Sequence, residues 1–213
     1  MRRKHLVISG TGRAGTTFLV ELLTHLGLES GFKAEQIPLH WNNNARAGLE
    51  KDIRSDDCPY LVKSPHFCDY AAEILARKDI VIEHVLIPLR DIHAAAESRR
   101  YVSSRALAQC SVMKRWMQNI LGRQGVSGGA PVNTNDNELE LLLLKRIYAL
   151  ALALSDSAVP VTFLRYPRIV KDCSYLFEKL RGVLPGTDYA QFKIIFDKTA
   201  RPELVNSFNE NDR

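Results

Sequence analysis

Gly10 to Thr17 reads G-T-G-R-A-G-T-T, which puts three glycines, three threonines and an arginine into eight residues. That composition suits an oxyanion. Glycines let backbone N–H groups approach closely, and a helix starting just beyond adds unpaired N–H groups and a favourable dipole. Arg90 and Ser98 stand eight residues apart where an apolar run gives way to an alanine-rich stretch. Arginine's planar fork can grip a phosphate with two N–H groups, and a serine two helical turns on can lie on the same side. Lys63 closes a second short apolar run, and Glu35, His40, His66 and His93 are the groups near these stretches able to take a proton.

The elements that would position these residues follow from apolar spacing. Leu6, Val7 and Ile8 predict a buried strand leading into the glycine stretch. From about Thr16, the residues Phe18, Leu19, Leu22, Leu23 and Leu26 recur at helical spacing, and Gly27 suits the position just past a helix end. Residues 28–59 are polar and aperiodic, a connection long enough to suggest a function of its own. Tyr60 to Lys63 predicts a second strand, stopped by Ser64-Pro65, with Pro65 placed to open a helix. A helix is expected over Ala71 to Arg77, then a third strand over Ile80 to Leu89. Its continuous rather than alternating apolar pattern suits burial on both faces of a parallel sheet.

Asp91 can cap a helix running through Ala96, and Leu107 to Leu121 also looks helical. Gly122 to Asn137 reads as a loop. Glu138 to Leu154 predicts a long helix with leucines on nearly every side, expected to be buried all round. Val159 to Leu164 predicts a fourth strand, followed by helices near Cys173 to Arg181 and Tyr189 to Thr199 and a polar tail that frays. Alternating strands and helices imply a three-layer α/β/α fold around a parallel sheet of four to five strands, in one domain over residues 1–213.

Composition narrows the partners. A net charge of +5 over 213 residues, without a dense Lys/Arg run beyond the first four residues, fits an anionic ligand better than nucleic acid. No apolar run reaches the roughly 20 residues of a membrane helix, and the short run after Arg2-Arg3-Lys4 predicts a strand rather than a signal peptide. Four scattered cysteines lack metal-ligand spacing and predict reduced thiols in a cytoplasmic protein. Oligomeric state leaves no mark in the sequence.

Set against the nucleotide-binding pattern G-x-x-x-x-G-K-[ST], the loop keeps Gly10, Gly15 and Thr17 but has Thr16 in the lysine position; Arg13 supplies the cation three residues earlier. This argues against an ordinary ATPase or GTPase, in which the lysine reaches the terminal phosphates. The pattern R-x-G-T-T after a strand resembles the 5′-phosphosulfate loop of sulfotransferases that use 3′-phosphoadenosine-5′-phosphosulfate (PAPS). In VLIPLRDIHAAAESRR, Arg90 and Ser98 resemble that family's 3′-phosphate motif, an arginine at a strand end and a serine eight residues on. LVKSPHF resembles the K-[ST]-P stretch of carbohydrate sulfotransferases, and FLRYPRIV partly matches the R-Y-E-D-L stretch of many members, with Pro167-Arg168 in place of the acidic pair.

The resemblance implies a P-loop NTPase-like fold. It also implies that Gly12, Arg13, Ala14, Gly15, Thr16, Thr17, Arg90 and Ser98 bind PAPS and its product 3′,5′-ADP, without a metal. Arg13 would stabilise charge on the leaving oxygen, and Lys63 could approach the sulfuryl oxygens. Protein-tyrosine sulfotransferases carry their base at nearly the place of Glu35, which makes Glu35 the first candidate. His66 is the second, because cytosolic members place a histidine just after the strand that corresponds to the one ending at Lys63. His40 is a third, and His93 reads as structural. The acceptor would be a small molecule, glycan or lipid bearing a hydroxyl or amine, held by residues 28–59 and 106–137, with Trp41 and Trp116 available to stack on a ring. The alternatives are an ATP-dependent small-molecule kinase with an aberrant loop and a nucleotide-binding protein that lacks chemistry.

Overall fold

Leu6, Val7 and Ile8 are all fully buried, and successive side chains along a strand point to opposite faces, so the first strand must be covered on both sides. A computed structural model of the chain, describing residues 2–41, 47–109, 136–184 and 186–205, shows how this is met. Four strands, β1 (Arg3–Ile8), β2 (Leu61–Lys63), β3 (Ile80–Leu89) and β4 (Val161–Arg165), pair in parallel in the order β2-β1-β3-β4. Six helices accompany them among the described residues: α1 (Thr16–His25), α2 (Ala71–Ala76), α3 (Ile92–Gln109), α4 (Asp136–Ser155), α5 (Cys173–Leu180) and α6 (Tyr189–Thr199).

Leu6, Ile8, Leu86 and Leu164 pack on one face against Phe18, Leu19, Leu22 and Leu23 of α1, Leu176 and Leu180 of α5, and Phe192 and Phe196 of α6. On the other face Val7, Val62, Val85 and Ile87 meet Ala71 and Ile74 of α2 and Leu150 and Leu154 of α4. Helix α3 joins that layer by packing Ala95 and Ala96 on Leu139 and Leu143 of α4. The result is an α/β fold with three layers. Burying each such leucine contributes about 1.5–3 kcal/mol.

The order of strands fixes where a ligand can sit. From β1 the chain moves outward to β2 through α1; from β3 it moves outward the opposite way to β4. The helix layer changes when the direction changes, as a single crossover hand requires. Neighbouring strands whose connections leave in opposite directions open a crevice at their carboxyl ends. Here those strands are β1 and β3. The glycine stretch leaves one and Arg90 leaves the other.

Several expectations need correction. Helix α4 is buried on one face only: Leu141, Leu144, Tyr148 and Leu152 are 49–69% exposed, while Leu139, Leu143, Leu150 and Leu154 are buried. Helix α3 runs unbroken to Gln109, well past the alanine-rich stretch; of the helix expected over Leu107 to Leu121, Leu107 to Gln109 belong to α3 and residues 110–121 lie outside the described residues. Pro65 opens no α-helix, because a turn and a 3-10 segment (Phe67–Asp69) intervene before α2. Residues 110–135, including Trp116 and Cys110, and residues 206–213 lie outside the described part of the chain. No helix among the described residues is long and apolar enough to cross a membrane.

Candidate functional site at the carboxyl ends of β1 and β3

The stretch after β1 turns through left-handed backbone at Gly12, Arg13 and Gly15 before entering α1. Gly15 is the helix N-cap at φ 83°, and a Cβ there would meet Ile169 Cδ1 at 2.9 Å and Tyr166 Cδ2 at 3.0 Å. Only glycine fits both the backbone and the space. No side chain caps α1 and its first turn carries no acid, so its leading N–H groups and dipole face the turn directly. Arg13 takes a left-handed φ of 55°, a costly conformation for an arginine, of the kind that collects at functional sites.

Three arginines converge on this turn. Arg13 Nε donates to Ser98 Oγ at 3.2 Å, Arg90 Nη1 donates to the Arg13 carbonyl at 3.1 Å, and Arg99 Nη2 donates to the Thr11 carbonyl. Arg90 also lies over the Tyr166 ring, 5.1 Å from its centroid. Ser98 and Arg99 are buried because α3 starts directly after β3, and its second turn brings them against the glycine turn. The capping expected of Asp91 holds: its Oδ1 accepts from Ala94 N–H at 2.8 Å.

The local electrostatics follow from this crowding. Burial pushes the Arg99 guanidinium down to about 10, with the charges of Arg146 and Arg13 adding to the effect. Burial also lowers Arg13 and Arg90, each partly offset by Tyr166; the charge of Arg90 lowers Arg13 further. Tyr166 itself is raised by burial against the pull of those two arginines. Like charges brought this close create a positive potential that an anion would relieve.

Beside the turn, Lys63 at the end of β2 is buried, with its side chain 3% exposed. Its ammonium donates to Thr17 Oγ1 at 2.9 Å, to Glu50 Oε1 at 2.9 Å and to the Gly48 carbonyl. Three acceptors meet the three donors of an ammonium. Burial lowers the Lys63 pKa, opposed by Glu50 and reinforced by Arg13. The described residues of the 28–59 segment are thereby anchored to the sheet. Ile37, Leu49 and Ile53 are buried, and a backbone bond of 3.2 Å from Lys51 N–H to the Lys63 carbonyl ties the segment to β2.

The predicted residues thus fall into two groups. Gly12, Arg13, Ala14, Gly15, Thr16, Thr17, Arg90 and Ser98 lie together at the carboxyl ends of β1 and β3, with Lys63 touching Thr17. Glu35 and His40 sit exposed on a 3-10 segment (Ala34–His40), and His66 is exposed with Nδ1 3.5 Å from Asp69 Oδ2. His93 ties α3 to α4 through Glu140 at 2.8 Å, in keeping with a structural part. Trp41 is half-buried against the core. Tyr166, Gly48 and Glu50 escaped the sequence reading of the site, and Arg99 was credited there with general positive potential but not with the bond it makes to Thr11. The doubled arginine after Ser98 was a visible signal for Arg99, whereas Glu50 carried none.

Comparisons with protein-family models, with curated proteins and with solved structures found no match for this chain.

Proposed function

We propose that the chain binds PAPS at the crevice between β1 and β3 and transfers its sulfuryl group to a hydroxyl or amine of a small-molecule, glycan or lipid acceptor. The observation that carries this reading is the convergence of Arg90 and Ser98, 77 and 85 residues beyond Arg13, on the glycine turn that carries Arg13 at a helix N-terminus. The two motifs that resemble sulfotransferase phosphate sites meet in space.

In this reading the N–H groups of residues 14–17 and the Thr16 and Thr17 side chains hold the 5′-phosphate, and Arg90 with Ser98 holds the 3′-phosphate. The acceptor oxygen or nitrogen attacks sulfur in line, the bond from sulfur to the phosphate oxygen breaks, and 3′,5′-ADP leaves. Arg13 stabilises charge gathering on that leaving oxygen, and the acceptor's proton passes to a base for which Glu35 and His66 are the candidates. Because the sulfuryl oxygens already spread negative charge, positioning and fixed positive charge supply the rate. The described cysteines, Cys58, Cys68 and Cys173, are free thiols, in keeping with a reducing compartment such as the cytoplasm.

Calorimetric titration with 3′,5′-ADP, with 5′-AMP and ATP/Mg²⁺ as controls, tests the reading. The expected result is binding of 3′,5′-ADP well above 5′-AMP, lost in Arg90→Ala. Equal binding of the two adenylates, or preference for ATP/Mg²⁺, overturns it.

A further inference from the structure

Thr17 stands at the place where nucleotide-binding loops carry a serine or threonine whose hydroxyl ligates Mg²⁺. In this chain that oxygen faces a different cation. Lys63 Nζ lies 2.9 Å from Thr17 Oγ1, 2.9 Å from Glu50 Oε1 and within hydrogen-bond reach of the Gly48 carbonyl. Hydroxyl, carboxylate and carbonyl are the oxygen types that surround a hard divalent ion. Here they surround an ammonium.

The surrounding chain is built to hold this arrangement. Lys63 is fixed by β2, where it pairs with Ile8 of β1, the strand that ends one residue before Ser9 and the glycine turn. Gly48 can present its carbonyl because it has no side chain: a Cβ there would stand 2.4 Å from the His40 carbonyl oxygen. Glu50 follows two residues later, and the bond from Lys51 N–H to the Lys63 carbonyl sets it across from the ammonium.

We propose that Lys63, held by Glu50 and Gly48, is a built-in cation that takes the place of a divalent metal at Thr17, so that the loop selects a metal-free anion over a Mg²⁺-nucleotide. The proposal rests on the nucleotide reading above for the identity of the anion, but not for the oxygen cage itself. It also assigns Lys63 a positioning part. With its three N–H groups given to Thr17, Glu50 and Gly48, it acts on the anion through charge and through the orientation of Thr17.

Lys63→Met tests the idea, because methionine keeps the length of the side chain and removes the charge. Two probes are used: Mn²⁺ alone, followed by electron paramagnetic resonance, and 3′,5′-ADP titrated in EDTA and again in Mg²⁺. The wild-type chain is expected to bind no Mn²⁺ at the loop and to bind 3′,5′-ADP with the same affinity, within twofold, in either buffer. Lys63→Met is expected to gain Mn²⁺ binding, lost again when Thr17→Val is added. It should also bind 3′,5′-ADP at least tenfold more weakly in EDTA, with recovery in Mg²⁺. A wild-type protein that needs Mg²⁺ overturns the proposal, as does a folded Lys63→Met that takes up no Mn²⁺ and gains no metal dependence. If 3′,5′-ADP binds neither protein, the nucleotide reading fails while the Mn²⁺ comparison still decides the cage.

Should Lys63→Met fail to fold by circular dichroism, Glu50→Gln gives a second route. Removing the carboxylate that opposes desolvation should make the ammonium lose its proton at lower pH. Binding in EDTA should then fall away at lower pH than in wild type. An unchanged pH profile counts against Lys63 as the cation.

Discussion

Arg13 and Ser98 lie 85 residues apart in the chain and 3.2 Å apart in the fold, Nε to Oγ. The contact joins the turn after β1 to the helix after β3, at the carboxyl ends of those strands. Removing the hydroxyl should delete one ligand of the proposed 3′-phosphate. A hydrogen bond to a charged group is worth about 1.5–3 kcal/mol, or roughly 10- to 150-fold in affinity. Ser98→Ala is therefore expected to weaken 3′,5′-ADP by that amount and to leave 5′-AMP nearly unchanged. Calorimetry of the two ligands side by side checks it, and equal weakening of both would detach Ser98 from the 3′-phosphate.

Gly15 offers a sharper structural test. Alanine there must hold a left-handed φ, which costs about 1–2 kcal/mol for a residue with a Cβ, and must also displace Ile169 and Tyr166. Gly15→Ala is expected to lower the melting temperature by several degrees, given about 2–4 °C per kcal/mol for a chain of this size. Because Tyr166 carries Arg90 on its ring, the same variant should lose most of its affinity for 3′,5′-ADP. A variant with normal melting and normal binding would show that the turn tolerates a side chain and is not shaped as described.

What the sequence disclosed and what it hid have physical causes. The bounds of β3 and α6 match the reading, because the first is apolar but for Glu83-His84 and the second is capped by Asp188, which accepts from Gln191 N–H. The length of α3 was hidden because its inward face is polar: Ser98 and Arg99 are buried where a helical pattern would show apolar residues, with Val102 one turn on. The burial of α4 was misjudged because leucine stands on both its inner and outer faces, so periodicity had nothing to select. At the site, the glycine turn, Arg90 and Ser98 were legible because each belongs to a local pattern. The pairing of Glu50 with Lys63 was not, since it depends on how residues 28–59 fold back.

Helix α4 gives a comparison in which adjacent leucines should behave oppositely. Leu143 is fully buried against Ala95 and Ala96 of α3, and Leu144 is 58% exposed. Leu143→Ala is expected to cost about 2–5 kcal/mol, and Leu144→Ala to stay within about 0.5 kcal/mol of wild type. Urea unfolding at neutral pH measures both. Similar costs at the two positions would show that α4 is not buried on one face only.

The sheet itself should respond to acid. His5 is buried in β1 with Nδ1 2.7 Å from the Pro59 carbonyl oxygen, so Nδ1 donates and Nε2 is enclosed without a proton. Burial lowers its pKa, with the Pro59 contact opposing that shift, and burial lowers His84 of β3 as well. Both histidines take up protons more readily in the unfolded chain, where the pKa is about 6.5. Their contribution is complete above that value and is lost as pH falls below it toward the folded-state values. Each contributes a slope of at most about 1.4 kcal/mol per pH unit. The urea midpoint is therefore expected to fall steadily between pH 7 and pH 5.5, and His5→Gln, though less stable at neutral pH, should show a shallower decline. If the mutant's decline is as steep as that of wild type, the acid sensitivity belongs to other groups and His5 is not the neutral, buried imidazole the β1 contacts describe.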